Sequence, residues 1–186
     1  MDKIMTNFYL DIETTGLNPR KDKIITIQYQ ELDRTTGQPL SELKILKEWG
    51  SSEKEIIEGF LTDTKLNLDY PFNFIPVGYN LGFVNSFLKT RMSFHKLKPL
   101  YILSRPFIDL RAIGILMNKG EFKGSGLDQL TKKPKLSNNI PIWYENKEYE
   151  KIISHIKNKT KEFIEFNSWL YQKLPLLLEE FNREKI

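Results

Sequence analysis

The chain has 186 residues, no cysteine and a formal net charge of +4, from 28 lysine and arginine residues against 24 acidic ones. This length fits a single domain over residues 1–186 and leaves no room for a polymerase or helicase module. The lack of cysteine excludes disulfides and thiolate metal sites, and the mild positive charge is compatible with nucleic-acid binding without requiring it. No run of about 18 apolar residues predicts a membrane span, so we expect a cytoplasmic protein.

The first half of the chain predicts a sheet with one early helix. Alternating apolar residues bounded by turn residues indicate strands, and a serine before an apolar run of period 3.6 indicates a capped helix. The predicted strands are 8–13, 23–32 and 43–49, with a hairpin turn at 34–39, followed by a helix from Ser51 or Ser52 to about Asp63 and a strand over 74–78.

The second half predicts mainly helices. Apolar residues at three- and four-residue spacing mark a long helix over about 146–174, and Pro175 should kink or end it, leaving 176–181 as a last turn packed on the domain or on a partner. The other predicted elements are a helix at about 109–117, a short one near 127–130, and a loop marked by Pro134 and Pro141. The order of elements predicts an α/β fold with a mixed sheet flanked by helices.

Two carboxylates two residues apart end the first predicted strand. Because successive strand side chains alternate between faces, Asp11 and Glu13 should point the same way. Two anions held side by side repel one another, and a divalent cation between them is a common reason to keep both. The pair therefore indicates half of a metal site, although Asp-x-Glu is also ordinary on solvated strand ends.

The string from Asp11 to Leu17 resembles the first motif of the DEDD superfamily of 3′-to-5′ exonucleases, the DnaQ-like group with a ribonuclease H-like fold. The resemblance implies that Asp11 and Glu13 bind Mg²⁺ or Mn²⁺, that Glu13 takes part in catalysis, and that the substrate is a 3′ end of single-stranded DNA or RNA. A polymerase or repair assembly is a further candidate partner. The residues that would receive the terminal nucleotide are Thr14, Thr15, Gly16, Tyr79 and Asn80.

A second stretch, from Val77 to Leu88, resembles the second motif of this family, Gly-His-Asn, two residues, Phe-Asp, two residues, Phe-Leu. Val84 stands where the family has its metal-binding Asp, and the neighbouring Asn85 is a neutral amide, a weaker ligand for a hard cation than a carboxylate. A metal ligand is therefore missing at this position.

The third motif falls on the predicted long helix, where His155 occupies the Tyr/His place of the family. The metal-binding Asp would lie four or five residues on, and the sequence has Lys159 and Thr160 there. His155 remains a candidate general base, because its reference pKa is near 6.5, and it is equally a candidate for a partly buried structural residue. Lys159 should face inward, pairing with Asp11 or Glu13 or binding a phosphate, unless it extends to solvent over the apolar face. The expected cofactor is Mg²⁺ or Mn²⁺, and a single bound ion is one open alternative.

Other acids are candidates to replace the missing ligands. They are Glu162, one helical turn from Lys159, and Glu148, four residues after a tyrosine, with Asn85 as a neutral substitute. Asp109 would also be suitably placed, but we predict that it caps a helix.

Three functions remain open. The first is a nucleic-acid-binding protein for 3′ ends with weak or absent hydrolysis, and the second is an active metal-dependent 3′-to-5′ exonuclease with substitute ligands. The third is a non-catalytic scaffold subunit, which predicts an exposed apolar surface around residues 169–178.

Overall fold

The structure, a computed structural model, describes residues 5–66, 71–131 and 139–184. Its centre is a five-stranded sheet in the order β3-β2-β1-β4-β5, in which β1, β2 and β3 pair antiparallel and β4 and β5 add parallel to β1. The strands are β1 (Asn7–Thr14), β2 (Ile24–Leu32), β3 (Lys44–Lys47), β4 (Ile75–Gly78) and β5 (Ile108–Asp109).

Helices cover both faces of the sheet, as predicted. Along β1, Leu10 and Ile12 pack against the first two helices, whereas Tyr9 packs against Phe163 and Phe166 of the last helix. Tyr9, Asp11 and Glu13 therefore share the face that the last helix crosses. The helices are α1 (Glu53–Asp63), α2 (Leu81–Phe94), α3 (Leu110–Met117), α4 (Leu127–Leu130), α5 (Ile140–Glu145) and α6 (Tyr149–Arg183).

Several local predictions are confirmed. The side chain of Ser52 accepts a hydrogen bond from the Glu55 amide and caps α1. Asp109 caps α3 by accepting from the Arg111 amide, and the same carboxylate accepts from the Asn80 and Leu81 amides at 2.8 Å each. Asp109 thus joins the starts of α2 and α3, because it satisfies free amides at both helix ends.

The sequence analysis is wrong at the end of α6. Pro175 neither ends the helix nor leaves a last turn packed on the domain, because α6 continues to Arg183 and Leu176, Leu177 and Leu178 are all more than half exposed. Proline removes one amide donor, but the helical hydrogen bonds before and after it keep the helix continuous.

Several short elements were missed, among them single-turn 3-10 helices at Glu48–Gly50, where the predicted strand 43–49 has already ended, and at Ile102–Ser104. Residues 140–145 form α5, with Pro141 in the first turn, where a missing N–H costs nothing. Ile108 and Asp109 form β5 before α3 begins. Pro134, predicted to lie in a loop, is outside the described residues. None of the helices in the described ranges is apolar over a length that would cross a membrane.

Candidate functional site

A cleft of about 520 Å³ opens at the carboxyl end of β1. Its walls come from the end of β1 and the turn after it, from the start of α2, and from the middle of α6. The structure brings eight of the ten predicted site residues to this cleft: Asp11, Glu13, Thr14, Gly16, Tyr79, Asn80, His155 and Lys159.

The turn after β1 depends on glycine at position 16. A Cβ atom there would lie 2.4 Å from a carboxylate oxygen of Asp22, so a larger residue would displace that side chain. Asp22 in turn accepts a hydrogen bond from the Asn18 amide at 2.8 Å. Thr15 does not line the cleft, since its hydroxyl accepts from the Lys23 amide instead.

The ammonium group of Lys159 lies between the two acids of β1. Its Nζ atom is 2.7 Å from Asp11 Oδ2 and 3.0 Å from Glu13 Oε1. Below this group, the buried Tyr9 hydroxyl donates to Asp11 Oδ2 at 3.4 Å and accepts from the Thr160 hydroxyl at 3.3 Å. The predicted face of β1 therefore carries one connected network in which a cation is supplied by the chain itself.

The charges at this centre are set by burial and by proximity. Burial alone would lower the pKa of Lys159, but Asp11 and Glu13 outweigh it and raise that pKa well above its ordinary value. Burial raises the pKa of Glu13, against the opposing effect of Lys159. Lys159 is therefore charged at neutral pH.

His155 lies beside this pair without a close contact. Its Nε2 atom is 3.9 Å from Glu13 Oε1, and its ring meets Trp143 edge to face. Burial, with the nearby charge of Lys159, lowers the pKa of His155 to about 4. The imidazole is neutral at pH 7 and retains one nitrogen that can accept a proton.

The residues at this centre do not fit a pair of divalent ions. Within the parts of the chain that the structure describes, no three His, Cys, Asp or Glu side chains are grouped to hold a metal. Two-metal hydrolysis needs several carboxylates around ions that lie close together. Here Asp11 and Glu13 share one ammonium group, which repels a cation approaching the same oxygens.

Val84, the position of the missing second-motif acid, is only 1% exposed and packs in the hydrophobic core between the sheet, α1 and α2. Its neighbour Phe83 reaches the cleft, whereas Asn85 does not, and the Asn85 amide oxygen is buried and accepts no hydrogen bond from the described residues. A valine at position 84 is therefore consistent with an apolar environment rather than with metal binding.

Of the other candidate acids, only Glu162 lines the cleft. It is buried, and its carboxylate accepts a hydrogen bond from the Thr131 hydroxyl. Glu148 lies at the start of α6, 2.6 Å from Lys151, and does not line the cleft.

Tyr79 lines the cleft with its ring, whereas its hydroxyl is engaged in a hydrogen bond to the backbone. The hydroxyl donates to the Ser125 carbonyl oxygen, and burial raises the pKa of Tyr79 to about 12. Gly114 makes this possible, because a Cβ atom there would be 2.3 Å from the Tyr79 hydroxyl oxygen. The neighbouring Asn80 has φ +69°, in the left-handed region, held by the Asp109 carboxylate.

Sequence reasoning missed three cleft residues of chemical interest, which are Arg111, Tyr9 and the acid Asp128 of α4. Arg111, in the first turn of α3, is a second cation at the cleft, and nothing in its sequence context indicated this. Tyr9 was detectable in principle, because it lies two residues before Asp11 on the same face of a strand.

The mixed sheet, its helices on both faces and the acids at the end of β1 define a ribonuclease H-like α/β fold of the DnaQ-like exonuclease type. A family model described as the RNase_H superfamily matches residues 8–141. The chain belongs to this superfamily.

The same fold is present in solved structures of E. coli exonuclease I. Its zinc-bound complex with single-stranded DNA gives a TM-score of 0.59 at 15% identity, covering 96% of this chain and 43% of that chain. Its complex with a dT13 oligonucleotide gives 0.55 at 14% identity, covering 95% and 43%. The present chain thus spans less than half of exonuclease I. A comparison with curated proteins gives no significant match.

Proposed function

We propose that this protein binds the 3′ end of single-stranded nucleic acid in the cleft and hydrolyses it weakly or not at all. The observation that carries the proposal is the position of Lys159 Nζ, 2.7 Å from Asp11 and 3.0 Å from Glu13, at the centre of an exonuclease-type cleft. We treat residues 1–186 as one unit with this function.

The cleft has the size and chemistry for a terminal nucleotide. Its volume of about 520 Å³ lies within the range of small-molecule sites. Lys159 has three N–H donors, and two acceptors face it among the described residues, so one donor is left for a ligand oxygen. Arg111 adds a planar cation suited to phosphate, while Tyr79 offers a ring face to a base. Fold similarity to a protein solved with oligonucleotides supports this choice of ligand.

Weak hydrolysis follows from the residues that would hold ions. The second- and third-motif acids are absent at Val84 and Lys159, and the ammonium occupies the oxygens that remain. A neutral His155 would accept a proton from water, but a divalent ion is what makes water acidic enough to lose it near pH 7. We therefore propose that any ion in this cleft is bound singly and weakly.

The binding test uses fluorescence anisotropy with single-stranded DNA and RNA in the presence of a chelator. We expect binding to oligonucleotides with a free 3′ end, weaker binding when that end is blocked, and weaker binding by Lys159→Met. Lys161→Met is the matched control, because that lysine lies on the same helix and is exposed. Equal affinity for free and blocked ends would reject end recognition, and no binding to either would reject the proposal.

The dependence of the binding constant K on salt concentration tests the phosphate contacts of Lys159 and Arg111. If Lys159 and Arg111 each neutralise one phosphate, the slope of log K against log salt should be about −1.4 for a single strand. Lys159→Met should make it shallower by about 0.7. An unchanged slope would remove Lys159 from the phosphate contacts.

The hydrolysis test follows end-labelled oligonucleotides with Mg²⁺ or Mn²⁺. The control is the double variant Asp11→Ala, Glu13→Ala. We expect little or no shortening by either protein. Rapid metal-dependent shortening from the 3′ end, with many turnovers per chain and absent from the control, would establish the alternative, an active exonuclease.

One observation favours the active exonuclease and suggests a variant that would test it. Glu162 is the only proposed substitute acid in the described residues that lines the cleft. If the protein shortens its substrate, Glu162→Gln should abolish the activity, because the amide is a poor ligand for a hard cation. Activity that survives this change would exclude Glu162 as the replacement ligand.

A further inference from the structure

All of the net positive charge of the chain comes from one segment that contains no acid. Residues 70–108 include five of the 28 lysine and arginine residues and none of the 24 acidic ones, so the rest of the chain has 23 basic and 24 acidic residues. This segment contains β4, α2 and the loop that leads to β5. The positive charge is therefore concentrated in one part of the chain, where it can act on an anionic ligand.

Two of the five cations are engaged within the domain. Arg91 is buried and pairs with Glu53 at 2.6 Å, and Arg105 donates a hydrogen bond to a backbone carbonyl. The other three have no acidic partner among the described residues, and they lie at the end of α2 and just after it: Lys89, Lys96 and Lys98. Lys96 and Lys98 are exposed and Lys89 is half-buried.

Two exposed aromatic rings lie among these lysines. Tyr101 is 47% exposed, and Lys89 Nζ lies 4.6 Å from the centre of its ring. Phe94 is 66% exposed, and the guanidinium carbon of Arg91 lies 4.2 Å from the centre of its ring. A cation holds each ring in place and leaves much of the ring to solvent. Exposed rings beside unpaired cations are typical of surfaces that bind single-stranded nucleic acid.

The exposed side of α2 connects these residues with the cleft. Asn80 and Phe83 line the cleft at the start of the helix, and Phe94 lies at its other end. The 14 residues of α2 extend about 20 Å. The exposed residues between the two ends have small side chains or none: Gly82, Ser86 and Ser93. A strand that follows α2 therefore meets neither a large side chain nor an acid of this helix.

We infer that Lys89, Phe94, Lys96, Lys98 and Tyr101, called here the α2 basic patch, bind a single strand several nucleotides upstream of the 3′ end in the cleft. The inference rests on the proposed function, because it concerns the strand whose end the cleft binds. The lysines neutralise phosphates and the rings stack on bases, so the contact is independent of base sequence. A stacked strand covers 20 Å in about six nucleotides, at about 3.4 Å each.

The first test compares the oligonucleotides dT12 and dT3 by titration calorimetry with a chelator present. Only dT12 is long enough to reach from the cleft to the α2 basic patch. For dT12 the slope of log K against log salt should be steeper by about 2.1, which is about 0.7 for each of three lysines. At 0.1 M salt the double variant Lys96→Gln, Lys98→Gln should weaken dT12 binding about 25-fold and leave dT3 binding unchanged. The matched control, Lys157→Gln with Lys161→Gln, removes two exposed charges from α6 and should change neither affinity.

The second test separates stacking from charge. Phe94→Leu keeps an apolar side chain over Arg91 but removes the ring, and it should weaken dT12 binding about tenfold. Phe94→Tyr keeps the ring and should bind as the wild type. Phe122→Leu is the control, because Phe122 is 68% exposed at a different place on the surface. The circular dichroism spectra should be identical for all of these proteins.

Equal affinity of the wild type for dT12 and dT3 would overturn the inference, as would unchanged dT12 binding in the lysine double variant or in Phe94→Leu. Hexaglutamate carries negative charge without bases and should compete poorly. If it displaced dT12 as well as a second oligonucleotide does, the ligand would be an acidic protein segment and the inference would fall. With the 3′ end of dT12 blocked, the lysine double variant should still weaken binding about 25-fold. Failure of end recognition in the cleft is therefore distinguishable from failure of the α2 basic patch.

Discussion

Replacing Lys159 by methionine should strengthen the binding of a divalent ion by the two acids of β1. Methionine keeps the length and apolar character of the lysine stem but has no charge. Lys159 Nζ is 2.7 Å from Asp11 Oδ2 and 3.0 Å from Glu13 Oε1, so its removal frees both oxygens at once. Two adjacent carboxylates without a cation are a binding site for one.

The size of the effect follows from distance and charge. A hard divalent ion lies about 2.1 Å from a carboxylate ligand, so an ion on Asp11 Oδ2 would be at most about 4.8 Å from Nζ. Repulsion between these charges is about 2 kcal/mol in bulk water and about 7 kcal/mol at an effective dielectric constant of 20. Because the Lys159 side chain is 37% exposed, water screens part of this repulsion. The repulsion energy should therefore lie nearer to the bulk-water value than to the value at a dielectric constant of about 20. We therefore expect at least a tenfold gain in affinity.

The assay is titration with Mn²⁺, with free ion followed by electron paramagnetic resonance. We expect one ion per chain in Lys159→Met, and at least tenfold weaker binding in the wild type. Lys159→Arg keeps the charge and should behave as the wild type. Adding Asp11→Asn and Glu13→Gln to Lys159→Met should abolish the gain, which would locate the ion at β1.

Equal Mn²⁺ affinity in wild type and Lys159→Met would refute the reasoning, because it would mean that the ammonium does not control these oxygens. A gain that survives removal of both acids would refute it as well. Lys161→Met is the control for a general effect of net charge, because it also removes one positive charge from α6. Its Mn²⁺ affinity should equal that of the wild type.

Other parts of the structure give further predictions. His155 should titrate near pH 4 by NMR, and its pKa should rise toward 6.5 in Lys159→Met; an unchanged value would contradict the assigned effect of that charge. Because its folded pKa lies below its unfolded one, His155 should make the free energy of unfolding fall as pH falls from 6.5 toward 4, and His155→Gln should remove this dependence. Glu53→Ala should cost about 3–5 kcal/mol in urea unfolding, because it leaves buried Arg91 without its partner at 2.6 Å; a loss below about 1 kcal/mol would contradict this. Asp109→Ala should cost about 2 kcal/mol, with a smaller loss for Asp109→Asn, because the carboxylate caps two helices.

Glu53 also makes stability depend on pH in a definite direction. Burial alone would raise its pKa, but hydrogen bonds from Arg91, His95 and the Ile24 amide outweigh that effect and lower it below the ordinary value of 4.5. A carboxylate with a lowered folded pKa contributes stability above its unfolded pKa, and this contribution is lost as pH falls through the folded pKa. Acid unfolding should therefore begin below about pH 4.5, and Glu53→Gln should reduce the loss in that range.

Local patterns predicted most of the sheet and the ends of several helices. Strand alternation placed Asp11 and Glu13 on one face, and capping residues marked Ser52 and Asp109, because these signals act over a few residues. The continuation of α6 beyond Pro175 was not predictable in this way, because a single proline weakens a helix without specifying whether the flanking turns compensate. The two-residue strand β5 had no pattern long enough to detect.

The cleft itself was only partly predictable, because it joins residues that are distant in sequence. Lys159 was expected to face inward, but its two distances to the acids of β1 depend on how α6 crosses the sheet. The position of Arg111 depends on β5 and α3 in the same way. Contacts between separate elements are set by packing, which a single sequence does not encode locally.

A structural role explains the presence of Asp11 and Glu13 on β1 even without a metal. A half-buried ammonium without an acidic partner would be destabilising, and Asp11 and Glu13 are the acids that face Lys159. An acid at position 159 would therefore do more than add a ligand, because it would place three carboxylates together without the ammonium that now lies between two of them. We expect Lys159→Asp to be less stable than Lys159→Met when a chelator is present, and to be stabilised more by Mn²⁺. If thermal unfolding showed the same response to Mn²⁺ in both variants, charge balance around Lys159 would not explain why the two acids are kept.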